Sequence, residues 1–217
     1  IGSRSESHNY TIGNSDLGVD VKIKDLGVII DNDFKFSDHC NVLFKKATFT
    51  AANIFRCFKT RSPDFLIEMY STYVRPLVEN NSPVWSPYLL KDIELLERVQ
   101  RFFTKRIPGL TDRSYTERLS VLGLDTLELR RLQADIKLVY RVLHCLVDLD
   151  MDSLGWSYSN DGGTRSHSFK IAVKMAKTDA VRNSFCFRAP MVWNTLPSNW
   201  FPLGPIKASV CNYKLLI

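Results

Sequence analysis

The chain has 217 residues, 45% of them hydrophobic and 24% charged, with a formal net charge of +6. That balance excludes a disordered tail, and no apolar run reaches the roughly 18 residues that a bilayer-spanning helix needs. The charge is uneven: residues 1–40 carry net −3, residues 41–152 net +3, and residues 153–217 net +6 with no Glu.

The first forty residues read as β structure. Asn9-Tyr10-Thr11-Ile12 runs into Gly13-Asn14, a pair that tolerates positive φ in a turn. Val19, Val21 and Ile23 alternate with Asp20, Lys22 and Lys24, the period of a half-buried strand. The apolar run Leu26-Gly27-Val28-Ile29-Ile30 follows, closed by Asp31-Asn32-Asp33. Such a strand and hairpin unit is too small to fold alone, and a sheet outside this chain is expected to cover it. The polar residues 1–10 do not read as a secretory signal. A start at Ile rather than Met predicts a piece of something longer.

From residue 37 the pattern turns helical. A helix over 37–58 is expected, capped by Ser37 or Asp38, with Leu43, Ala47, Ile54 and Phe58 on one stripe; Ala51 and Ala52 would allow close approach. Ser62-Pro63 starts a second helix carrying Leu66, Met69, Tyr70, Tyr73 and Leu77. The Pro-punctuated stretch from Asn81 to Pro87 breaks it. A third helix over 89–107 places Ile93, Leu96, Phe103 and Ile107 at helical spacing, with Arg98, Arg101 and Lys105 along one face. Ser114 with Glu117 forms a capping box for a short helix ending near Gly123, and Thr126 caps a long helix to about Val147. Its core stripe is Leu132, Ile136, Val139 and Leu143. Beyond Asp152 the periodicity weakens, Asn160-Asp161-Gly162-Gly163 reads as a loop, and only short elements are expected.

Familiar catalytic patterns are missing: no GxSxG, P-loop, GxGxxG or HExxH occurs. Asp148, Asp150 and Asp152 begin like a calcium loop, but Ser153 and Ser159 stand where Gly and Glu belong. No two Asp residues are adjacent, so the Asp-Asp turn of a two-metal nucleotidyl-transfer site is absent. The cysteines Cys40, Cys57, Cys145, Cys186 and Cys211 form no CxxC, so reduced, mostly buried thiols and a reducing, intracellular setting are expected. The cationic face of Arg98, Arg101, Lys105 and Arg106 has two readings. It is either the wet side of an amphipathic helix or a track for successive phosphates. Lys45-Lys46, Arg130-Arg131 and Lys170, Lys174 and Lys177 add cations on other elements. Tyr70, Tyr73, Trp85 and Trp193 either stack bases or pack in the core.

Several stretches together resemble the reverse transcriptases of LINE-type, jockey-like non-LTR retrotransposons. Lys24-Asp25-Leu26-Gly27-Val28, with Asp31, Phe36 and His39, is similar to the KDLGV…D…F…H block that closes the palm in that family. Tyr73-Val74-Arg75-Pro76-Leu77-Val78-Glu79 and Val84-Trp85-Ser86-Pro87 resemble its YVRPxLEY…VWxP stretch, with Asn80 in place of Tyr. The segment from Ile93 to Ile107 resembles its IExLExVQRRFTKRI helix, with Phe102 replacing a basic residue. Tyr115, Glu117-Arg118-Leu119, Leu122, Leu124 and Leu127 to Arg131 resemble YxERLxxLxLxTLExRR. Arg182, Phe185, Arg188 and Trp193 to Pro197 resemble RxxxFxxRxxxxWNxLP.

The resemblance implies an α+β, mostly α architecture. A palm-end β-hairpin (1–36) would precede a thumb-like helical region (37–108), post-thumb helices (109–152) and a basic C-terminal extension (153–217). Lys24, Leu26 and Gly27 would lie in a primer-grip-like hairpin, where glycine lets nucleic acid approach the backbone; a bulge or packing point is the other reading of Gly27. Lys45, Lys46, Arg98, Arg101, Lys105 and Arg106 would hold an RNA or RNA/DNA template–primer. The implied parent is an RNA-directed DNA polymerase using Mg2+, whose palm and fingers precede this segment. No cofactor, catalytic residue or membrane partner is expected within the chain, and the location would be nucleus or cytoplasm. The alternative is a non-enzymatic helical interaction module, a captured or decayed retroelement remnant.

Overall fold

A two-residue turn organises the first part of the fold. In the computed structural model, which describes residues 11–13, 15–16, 20–159 and 169–197, Leu26 (φ 44°) and Gly27 (φ 89°) both adopt left-handed backbone. That is the turn whose twist matches an antiparallel hairpin. It joins β3 (Lys22–Asp25) to β4 (Val28–Asp31), with Ile23 opposite Ile30 and Asp25 opposite Val28. The run from Leu26 to Ile30 is therefore no single strand: Leu26 is the exposed tip. Ahead of it, β1 (Thr11–Ile12) pairs antiparallel with β2 (Ser15–Asp16) around Gly13. Asn14, Val19, the loop 160–163, Cys211 and the cations beyond residue 197 lie outside the described residues.

The hairpin finds part of its cover within the chain. Val28 is buried and Ile30 and Phe34 pack beside it, against the helix α1 (Ser37–Cys57). The Ile29 N–H donates to His39 Nδ1 at 3.3 Å, and Lys22 pairs with Asp38. Asp31 shapes the connection: its carboxylate accepts from the N–H groups of Asp33, Lys35 and Phe36.

Neither Ser37 nor Asp38 caps α1; Phe36, left-handed at φ 56°, stands at the cap. The Ser37 hydroxyl instead donates to Asp92 Oδ2 at 2.6 Å, because that carboxylate is buried and needs a donor. Cys40, Ala47, Ala51 and Ile54 form the buried stripe, and the small side chains admit α5 (Leu90–Thr104) closely. Ala52 and Phe58, expected in that contact, are exposed.

The second helix is one rod with a widened middle: α2 (Pro63–Met69), a π turn (Tyr70–Val74) and α3 (Arg75–Glu79). Pro76 explains the widening, since it has no N–H and its ring would meet the Thr72 carbonyl in an α turn. Leu66, Tyr70, Val74 and Val78 are all fully buried. They recur every fourth residue, a spacing that drifts off one face of a 3.6-residue helix; the extra residue in the π turn returns them to line. After Asn81 (φ 54°) comes a single turn, α4 (Ser82–Trp85), with the Trp85 indole N–H on the Asn80 carbonyl at 2.8 Å.

In α6 (Tyr115–Leu122) both bonds of the Ser114–Glu117 capping box form, and Gly123 (φ 63°) ends it. Thr126 caps α7 (Leu127–Leu143), accepting from the Leu129 N–H at 3.2 Å. That helix stops four residues before the expected Val147, where Cys145 turns left-handed.

Two hydrophobic cores result. One spans Val28 to Leu127 and is centred on Tyr70, Trp85, Leu96 and Phe103. The other gathers Ile136, Val139 and Val142 of α7 with Trp156, Ile171 and residues of α9 (Phe185–Trp193), which follows the single turn α8 (Asp179–Arg182). The segment with weak periodicity is thus packed against the best amphipathic helix. Trp193 donates to the Phe169 carbonyl at 2.9 Å, and Asn194 both donates to and accepts from the Ile171 backbone. The architecture is α+β and mostly α.

Candidate nucleic-acid interface

The buried stripe of α5 runs Asp92, Leu95, Leu96, Val99, Gln100 and Phe103, and it fixes which residues face out. On the opposite side Arg98, Arg101 and Lys105 form the predicted cationic face. They do not stand on a convex rod. Together with Arg106 they line a cleft of about 550 Å³, whose other walls are Phe44 and Thr48 of α1, Phe102 of α5, Thr111, Arg113, and Arg118 of α6. Six of the ten lining residues are Lys or Arg, and none is Asp or Glu.

Each cation is held differently. The Arg98 guanidinium lies over the Phe44 ring at 5.5 Å, and that of Arg106 lies over Phe102 at 3.5 Å, donating also to the Phe102 carbonyl at 3.1 Å. Phe102 thus orients a neighbouring charge where the family pattern would carry one itself. Arg118 is buried, donating through Nε to Thr104 Oγ1 at 3.2 Å and through Nη1 to the Arg113 carbonyl at 2.7 Å. Arg101 is the exception to a free track: it pairs with Glu94 at 2.9 Å. Glu94 lies on the same helical face, where the i,i+4 rule points it to Arg98; the structure pairs it instead with Arg101, seven residues on. The side chains of Lys105 and Arg113 have no ion pair or hydrogen bond among the described residues. The Thr48 hydroxyl and Arg101 Nε are buried without a partner.

The other predicted residues stand elsewhere. Lys45 and Lys46 are exposed on α1 but do not line the cleft. Lys24, Leu26 and Gly27 project from the hairpin, and a Cβ built on Gly27 would meet no atom within 4 Å. Packing therefore gives no reason for that glycine, and its positive φ does. Arg130 pairs with Glu79, and Arg131 is buried, so neither is a cation offered to a ligand. Of the four candidate stacking aromatics, Tyr70, Trp85 and Trp193 are core and only Tyr73 is exposed. The rings at the cleft, Phe44 and Phe102, carry no sequence signal that marks them as part of a site, and neither do Thr48 and Arg113.

Beneath the cleft lies a buried polar chain. Tyr70 donates to Gln100 Oε1 at 2.6 Å, and Gln100 donates to the Tyr115 hydroxyl and to the Asp125 carbonyl. Tyr115 donates to Glu97, which also accepts the Leu127 N–H at 3.1 Å. Burial pushes the Glu97 carboxyl above its ordinary range, against the opposing pull of these donors and of Arg131. This chain fixes α5, α6 and the start of α7 together, and with them the cations they carry.

Among the described residues no group of three or more His, Cys, Asp or Glu is placed to hold a metal ion. Four described cysteines are free; Cys40 is buried, its thiol pushed up to about 12 by burial, and Cys186 is half-buried. Cys57 and Cys145 are exposed, which corrects the expectation of mostly buried thiols. No described helix is long and apolar enough to cross a membrane.

No family model matches the chain, and no solved structure matches it. An uncharacterized Caenorhabditis elegans protein is similar, 23% identical over 125 residues, which is 56% of this chain. The match covers 63% of that relative's own length, so the chain spans less than two thirds of it.

Proposed function

We propose that this chain is a nucleic-acid-binding module, the C-terminal part of a LINE-type reverse transcriptase, which holds template–primer through its phosphates and does not catalyse by itself. The observation that carries the binding is the cleft between α1, α5 and α6, where six cations and no carboxylate line one volume. Cations fixed on rigid helices contact phosphates without reading sequence. The family assignment rests on the ordered motifs from Lys24 to Pro197. In this reading the palm, the fingers and the Mg2+ they bind belong to a preceding part of the same polyprotein, and the protein works inside the cell.

The test is a salt titration of binding to a labelled RNA/DNA primer–template with a single-stranded overhang. With about four phosphates neutralised, the log–log slope should lie near −3 to −4. Replacing Arg98, Lys105 and Arg106 together by Glu should weaken binding at least about a hundredfold at low salt. Salt-independent binding, or none by a folded chain, rejects the proposal.

One observation favours the second reading, a protein-interaction module. Ile23 of β3 and Leu26 of its turn are exposed, as is Val21 just ahead of the strand, and β3 pairs with β4 alone among the described strands. A free edge with apolar side chains templates further pairing. Concentration-dependent self-association, lost on Ile23→Lys, with no affinity for RNA, would favour that module.

A further inference from the structure

Two features of the cleft bear on what enters it. Its cations come from α5 and the turn that follows it, from the 111–113 turn and from α6, and they line one open depression of about 550 Å³. From Arg98 to Lys105, at the end of α5, the rise is about 10 Å, room for a short run of one strand. Two aromatic rings, Phe44 and Phe102, line the same space. A duplex keeps its bases stacked on each other and can use neither ring. An unpaired strand can lay a base on each, and a cationic groove with aromatic platforms is how single strands are held without sequence preference.

From this geometry we infer that the cleft is a single-strand site: it takes a few unpaired nucleotides, not the duplex, and holds them by phosphates and by stacking. The inference rests on the nucleic-acid reading above and narrows it to the unpaired strand beside the primer–template duplex. Lys105 and Arg113, which make no ion pair or hydrogen bond within the described chain, are the first phosphate contacts. Arg98 and Arg106 already lie on Phe44 and Phe102, so each guanidinium can shift to the far face of an incoming base and keep its stacking. Thr48 lines the space with a hydroxyl that bonds nothing. Arg101 contributes less, because Glu94 already neutralises it. Arg118, held by Thr104 and the Arg113 carbonyl, sets the position of the wall.

The experiment measures the full chain by fluorescence anisotropy against a twelve-nucleotide single-stranded RNA and the blunt duplex of the same sequence, in one buffer. The single strand should bind at least about tenfold more tightly. Phe102→Leu keeps the apolar volume and removes the platform. It should weaken single-strand binding about five- to tenfold and change duplex binding less than about twofold. Duplex binding equal to or tighter than single-strand binding, or a Phe102→Leu protein that holds the single strand unchanged, overturns the inference and leaves the broader proposal standing. Loss of salt-dependent binding to both probes overturns the broader proposal instead. Far-UV circular dichroism of each variant separates these outcomes from misfolding.

Discussion

Glu97 shows how a single side chain can tie a surface to its interior. Its carboxylate belongs to a residue 6% exposed and accepts from Tyr115 and from the first N–H of α7, so it holds two helices to a third. Burial nonetheless raises its pKa from the ordinary 4.5. A group that ionises later in the folded state stabilises most below its unfolded pKa, and that contribution is lost as pH climbs through the folded value. The melting temperature of the native protein should therefore fall, relative to Glu97→Gln, as pH rises from about 4.5 through the window above it. Parallel profiles for the two proteins would show that Glu97 titrates normally. Arg131 has no hydrogen bond to either Nη and is lowered by the same burial, while the charge of Glu97 opposes that shift. Both groups are buried, and burial shifts their pKa values in opposite directions.

At the level of elements, helix ends were the most legible part of the sequence. Ser114 with Glu117 and Thr126 cap helices as their chemistry requires, because an end with unsatisfied N–H groups needs a local acceptor. Ser114→Ala should cost about 1 kcal/mol in urea unfolding, with a smaller change if water replaces the cap. Ser37 departs from the expected cap for a physical reason: a buried partner 55 residues away claims its hydroxyl, and no local pattern reveals that. The same limit hid half of the candidate site. Arg98 and Arg101 share α5, Lys105 and Arg106 follow directly at its end, and all four follow from spacing, whereas Phe44 and Thr48 reach the cleft only because Ala47 and Ala51 let α1 lie close to α5. Glu94 was within reach of the pattern, since the helical period that aligns Arg98 with Arg101 also includes it.

Across the whole molecule, α7 joins the two cores, contributing Leu127 to one and Ile136, Val139 and Val142 to the other. Arg188 fastens the joint: Nε and Nη2 grip Asp135 of α7 at 2.8 and 3.1 Å, and Nη2 also reaches the Pro83 carbonyl at 2.7 Å. Asp135 is 2% exposed, so removing its partner leaves a charge buried and unpaired. Arg188→Met should therefore cost about 3–5 kcal/mol, read from urea unfolding. Because one helix serves both cores, far-UV circular dichroism and tryptophan fluorescence should report one coincident transition, shifted as a unit. Two separated transitions would mean that α7 does not couple the halves. The second core draws residues from both sides of position 152, and the periodicity weakens beyond it because the short elements there borrow their packing from α7.

The π turn at Tyr70–Val74 has a consequence for how such chains change length over time. Removing one residue from an ordinary helix swings everything after it by about 100°, away from its neighbours. Here the reverse holds. Without the exposed Thr72, the buried positions Leu66, Tyr70, Val74 and Val78 would fall at spacings of four, three and four, the natural rhythm of a straight α-helix. A chain lacking Thr72 and carrying Pro76→Ala should keep the fold and melt within a few degrees of the native protein, whereas deleting Lys45 from α1 should unfold it. Related sequences one residue shorter at this point are therefore to be aligned with their gap inside the π turn, where the backbone already holds the surplus.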